Sequence, residues 1–129
     1  MPFEWISSEP TSSTPYISID SQRRFYISQT AAELIGIKSW PAQLYIGYDH
    51  VNKRIVVGKP GVVRPTDVKP YRFNDRHNAS ARPFIAKAKI DINELPQRYI
   101  YVGRDHSVDV PDGAFAFELE GYAAPDEPR

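Results

Sequence analysis

Positive side chains gather at three places along the chain: Arg23-Arg24, Lys53-Arg54, and the stretch Arg72-Phe73-Asn74-Asp75-Arg76-His77-Asn78-Ala79-Ser80-Ala81-Arg82. The last is the richest. Its arginines, amides and hydroxyl, with Tyr71 beside them, are the equipment for phosphate contacts and some base-edge contacts. Read locally it is an irregular loop between strands, and its arginines have the alternative of pairing with Asp75 and nearby acids. Arg24 equally suits a structural pair with Asp20 across a hairpin, and Lys53-Arg54 falls at a hairpin tip, where charge serves solubility. With Lys38, the set that would face a nucleic acid is Arg23, Arg24, Lys38, Lys53, Arg54, Arg72, Arg76 and Arg82.

Other chemistries find less support. His50, His77 and His106 have no partner at metal-ligand spacing, and there is no cysteine to hold zinc or act as a nucleophile. Asp49-His50 and Asp105-His106 recur in similar contexts, for which a turn-forming Asp at a strand end is the simplest account. P-loop, nucleophile-elbow, paired-acid and dinucleotide motifs are all missing, so neither enzymatic activity nor a cofactor or metal is expected.

The 129 residues suffice for one modest core. No apolar run approaches the roughly 20 residues of a membrane span. The opening MPFEWISSEPTSSTPY lacks a basic region and an apolar stretch, so no signal peptide and a cytoplasmic location are expected. Net charge is zero but uneven: residues 17–98 hold fourteen bases against seven acids, and residues 99–129 two against seven. A basic body with acidic ends suits nucleic acid without demanding it.

Twelve prolines favour strands and loops over long helices. Residues 1–16 read as an extended arm whose Phe3, Trp5 and Ile6 dock on the body or on another subunit, and residues 122–129 as a flexible tail. Between them, residues 17–121 read as one compact domain. Ile17 and Ile19 alternate with polar residues, Ser21-Gln22 turns, and Arg24–Ile27 returns as a strand. Ser28 is a natural N-cap for a helix over Gln29–Ile35, whose Ala31, Leu34 and Ile35 share a face, and Gly36 a natural C-cap. Gln43–Tyr48 and Lys53–Val57 form a hairpin around Asp49–Asn52. Tyr45 and Tyr48 must then face opposite ways, so one needs cover from the arm or a partner.

An internal echo suggests a duplication. Leu44-Tyr45-Ile46-Gly47-Tyr48-Asp49-His50 is matched by Ile100-Tyr101-Val102-Gly103-Arg104-Asp105-His106, and Arg24–Gln29 by Arg82–Lys87. Ala114–Leu119 would close the second unit. Its helix is weakly marked, since Ala88–Ile92 is equally strand-like.

The stretch IDSQRRFYISQTAAELIGIKSWPAQLYIGYDHVNKRIVVGKP resembles the AbrB/MazE/MraZ family of swapped-hairpin β-barrel DNA-binding proteins. Asp20 matches that pattern's acid, Arg24 its arginine, Ile27 its strand-end isoleucine, and Ile35-Gly36-Ile37 its helix end. Arg23 stands in place of the usual turn glycine, Ser28 in place of the usual proline, and Ala32 and Glu33 in place of basic helix residues.

The resemblance implies a mostly β, α+β fold with one or two short helices. Two tandem swapped-hairpin units, residues 17–60 and 70–121, would form a pseudo-dimeric barrel. By function it implies a small, cytoplasmic, homodimeric regulator of bacterial or bacteriophage character that binds double-stranded DNA. The competing expectation is a phage-type accessory protein that inhibits a host protein through its eight tyrosines, other aromatics and acidic end.

Overall fold

The computed structural model describes residues 3–6, 14–102 and 110–125. Its strands are β1 (Tyr16–Ile19), β2 (Arg24–Ile27), β3 (Ala42–Asp49), β4 (Arg54–Gly58), β5 (Tyr71–Phe73), β6 (Asn78–Ser80), β7 (Gln97–Tyr101) and β8 (Phe115–Leu119). Helix α1 (Gln29–Ile35) follows β2, helix α2 (Arg82–Ala88) follows β6, and a 3-10 turn occupies Ile92–Glu94. Among the described residues no helix is long and apolar enough to cross a membrane.

Alternation sets the inside of the sheet. Ile17, Ile19, Phe25, Ile27, Leu44, Ile55, Val57, Phe73, Tyr99 and Phe117 all point into one buried cluster. Each such side chain contributes roughly 1.5–3 kcal/mol of burial. Phe25 sits where both halves of the chain meet, with its ring 5.4 Å from Tyr71, 6.1 Å from Phe73 and 5.2 Å from Phe84.

Helix α1 begins and ends where its cap residues dictate. The Ser28 hydroxyl accepts from the Ala31 amide at 3.1 Å, and Gly36 closes the helix at φ +88°. The same hydroxyl accepts from the Tyr16 amide at 3.0 Å, tying helix to strand. Ser28→Ala is therefore expected to cost about 1–2 kcal/mol in a urea-unfolding measurement, the upper part of the range for a lost cap.

All strand pairs are antiparallel, in the order β5-β3-β4-β8-β7-β1-β2-β6. The two outermost strands, β5 and β6, are joined by the short turn Asn74–His77, so the sheet curls into a nearly closed barrel. With that β5–β6 turn counted beside the β1–β2 hairpin, exchanging β1–β4 for β5–β8 leaves the set of neighbours unchanged. β1 lies beside β7 as β5 lies beside β3, while β2–β6 and β4–β8 each join counterparts.

The two hairpin turns match hydrogen bond for hydrogen bond. Asp20 Oδ1 accepts from the amides of Gln22 and Arg24, each at 2.9 Å. Asn74 Oδ1 accepts from those of Arg76 and Asn78 at 2.9 and 3.1 Å. Arg23 and His77 take the left-handed conformation in the two turns, at φ +63° and +66°. At the two ends of the β2–β6 ladder, the Ile27 amide donates to the His77 carbonyl at 3.1 Å and the Ala81 amide to that of Arg23 at 2.9 Å.

Several expectations are corrected. The stretch 72–82 is no irregular loop: it is the β5–β6 hairpin followed by the start of α2. Arg82–Lys87 is helical and so cannot echo β2, whose counterpart is β6. Ala88–Ile92 is not a strand, because Pro83 starts the helix and Phe84, Ile85 and Ala88 give it a buried face. The echo between Leu44 and Ile100 is off by one residue. Leu44 pairs with Tyr71 in the β3–β5 ladder, and the residue in that place of the β7–β1 ladder is Tyr99. Leu44 and Tyr99 are both fully buried, and a slip of one would turn the strand inside out. The rest of the second echo, Gly103–His106, lies outside the described residues. Residues 122–124 are not a loose tail, since Ala124 is buried and the Tyr122 hydroxyl donates to the Val51 carbonyl at 3.3 Å.

Candidate nucleic-acid interface

Strand β5 turns Tyr71 and Phe73 toward the core and leaves Arg72 exposed between them. The tight turn that follows presents Arg76, with its backbone held by the Asn74 side chain. Helix α2 then buries Phe84, Ile85 and Ala88, which leaves Arg82 and Lys87 exposed, with Lys89 exposed at its left-handed cap. A cleft of about 830 Å³ opens between β3, β5 and α2, with Lys69, Arg72, Lys87 and His50 against one acid, Asp67. Tyr48, Tyr71 and Phe84 form its apolar walls. Burial pushes both phenols above their ordinary pKa, so they remain neutral hydrogen-bonding groups near neutral pH.

The β1–β2 turn joins this face at one end. Because the Arg23 carbonyl accepts from the Ala81 amide, Arg23 and Arg24 stand beside Arg82 at the start of α2. Arg24 Nε lies 2.9 Å from Asp20 Oδ2, an exposed pair worth about 0–1 kcal/mol that leaves the guanidinium accessible. Arg76 projects at the other end of the β2–β6 seam. Among the described residues, no ion pair engages Arg23, Lys69, Arg72, Arg76, Arg82, Lys87 or Lys89. Cations left to solvent on one face are what a polyanion requires.

Three expected residues fall elsewhere. Lys38 is exposed just beyond α1, the opposite helix. Lys53 lies over the Tyr122 ring at 4.7 Å. Arg54 is not a solvated hairpin tip: its side chain is 1% exposed, and Nη2 lies 3.0 Å from Glu118 Oε1 on β8. It pairs with Glu118 in register, so its place in the ladder, not the turn beside it, decides its environment.

Conversely, Lys69, Lys87 and Lys89 escaped the sequence reading. For the two helix lysines the signal was the string RPFIAKAK, a helix with proline near its start and cations on the open side. Two histidines have packing roles. His77 stacks on Trp40 with ring centroids 4.0 Å apart, and its Nδ1 lies 3.0 Å from the Ile27 carbonyl. His50 packs edge-on against Tyr48. Asp49 accepts from the Val51 and Asn52 amides and the Asn52 side chain. Burial pushes its pKa up, but those bonds and Arg54 outweigh it and hold the carboxyl below its ordinary value. No cluster of three candidate metal ligands occurs among the described residues.

No protein-family model, curated protein or solved structure matches the chain.

Proposed function

We propose that this chain is a small, non-enzymatic DNA-binding regulator of the AbrB-like kind, bacterial or phage in character. It would grip duplex DNA with α2, the β5–β6 hairpin and the β1–β2 turn. The observation that carries this reading is the single face holding Arg23, Arg72, Arg76, Arg82 and Lys87 without ion-pair partners among the described residues. In the same reading the two halves are diverged copies in a tandem swapped-hairpin arrangement. The exchange-invariant strand neighbours and the matched Asp20 and Asn74 turns support that. The copies have divided the work: α1 carries Glu33 where α2 and its cap carry Arg82, Lys87 and Lys89.

The test is fluorescence anisotropy of labelled duplex DNA at low and physiological salt. Micromolar or tighter binding with a steep salt dependence is expected. Absence of binding even at low salt overturns the proposal. One observation favours the reading of an accessory protein that inhibits a host protein: Phe3, Trp5 and Ile6 are 57%, 91% and 80% exposed, as a protein-binding arm would be.

A further inference from the structure

The outer face of β3 and β4 carries a second concavity, of about 640 Å³, which adjoins the basic cleft at Ile46, Tyr48 and Val68. Tyr45 and Val56 form its floor, and Val63, Val68 and Val110 its walls. Val63 lies directly over Gly58, where a Cβ would come within 2.5 Å of it, so the glycine lets this wall sit down on the sheet. This is where Tyr45, the outward tyrosine of β3, meets solvent; Tyr48 packs against the core.

Asn52, which lines the groove, holds an unsatisfied acceptor. Asn52 Oδ1 is buried without a hydrogen-bond partner, while Nδ2 of the same amide donates to Asp49 Oδ2 at 2.9 Å and fixes its orientation. A buried acceptor left unpaired is costly, so a small local shift that admits an N–H donor to it is favoured.

The chain itself holds a segment with the complementary properties. Phe3-Glu4-Trp5-Ile6 exposes three large apolar side chains, and Phe3 and Trp5 pack edge-to-face on one another, 5.7 Å apart. The Trp5 indole is a donor with no acceptor role, the group Asn52 lacks. Glu4 has the charge complementary to Arg64, an exposed cation between Val63 and Pro65, which line the groove. The arm also starts close to the groove. The Tyr101 amide donates to the Pro15 carbonyl, the Val102 amide to that of Ala116, and Ala114 lines the groove.

We propose that the groove receives the Phe3–Ile6 segment of a second copy of this chain, so that two copies exchange arms about a twofold axis. The segment is uncovered in its own chain, and residues 7–13 can extend by up to roughly 25 Å, enough to reach a neighbour. A symmetric exchange buries both arms and satisfies both Asn52 acceptors.

The absence of native cysteine makes the test clean. Glu4→Cys chains, which keep Trp5, are mixed with size-tagged Val68→Cys chains under mild oxidation. A disulfide-linked heterodimer of the two variants is the expected dominant product. No crosslink, or only homodimers in which each variant is linked to itself, overturns the proposal. Sedimentation equilibrium supplies the second measurement. The native chain should dimerise, and Trp5→Ala, altering an exposed side chain, should raise the dimer dissociation constant at least tenfold without changing the melting temperature at concentrations where both chains are monomers. A native chain that stays monomeric up to hundreds of micromolar, or a Trp5→Ala dimer as tight as the native one, overturns it.

Discussion

Glu118→Ala is expected to lower the unfolding free energy by about 1.5–3 kcal/mol, because it takes a charged hydrogen-bond partner from the Arg54 guanidinium in a site with almost no water. The two groups face each other across the β4–β8 ladder at 3.0 Å, with their side chains 1% and 11% exposed. The loss measures the cost of taking one carboxylate from a buried cation, with Asp49 still opposite it on β3. Glu118→Gln keeps an acceptor and should lose less. Arg54→Met combined with Glu118→Leu should recover most of the stability, since an apolar pair of similar volume carries no desolvation penalty. Urea unfolding of the variants separates these cases. A loss under about 1 kcal/mol in Glu118→Ala would mean that water reaches the guanidinium once the carboxylate is gone.

The second large effect concerns the basic face. Replacing Arg72, Arg82 and Lys87 together by alanine should make the slope of log affinity against log salt shallower by about 2.7, if each neutralises one phosphate. At about 0.1 M salt the same loss weakens DNA binding by roughly 10² to 10³. All three residues are exposed and make no ion pair among the described residues, so the fold should hold within about 0.5 kcal/mol. Arg98→Ala is the control. That guanidinium already lies 2.9 Å from Glu120 and rests over the Tyr16 ring, so its removal should leave the salt slope unchanged. An equal loss on removing Arg98 would place the DNA on the other side of the barrel.

What could be read in the sequence was what neighbouring residues decide among themselves. Ser28 and Gly36 marked both ends of α1, and the Ile17–Ile19 alternation predicted the inner face of β1. What could not be read depends on residues far along the chain. Lys53-Arg54 looks like any charged turn until Glu118 is placed opposite it. Helix α2 was obscured by Ile90 and Ile92, whose β-branched side chains suggest a strand, although Pro83 and the Phe84-Ile85-Ala88 spacing pointed the other way. The likeness of β3 to β7 was read in the wrong register, because Leu44 and Ile100 are alike in type and unlike in the face they occupy. The basic face has no local motif, since its cations come from two turns, a strand and a helix.

The strand neighbours also dictate how the protein must be made. Each of the first four strands has one partner from its own half and one from the second half. A nascent chain that has released only β1–β4 therefore carries hairpins with open edges, and the last of them stays open until β8 emerges. Assembly is bound to wait on long-range pairing, which makes it slow for a chain of this size. During synthesis two unfinished chains could satisfy one another's edges, so the nascent protein has a reason to need shielding that the finished barrel does not.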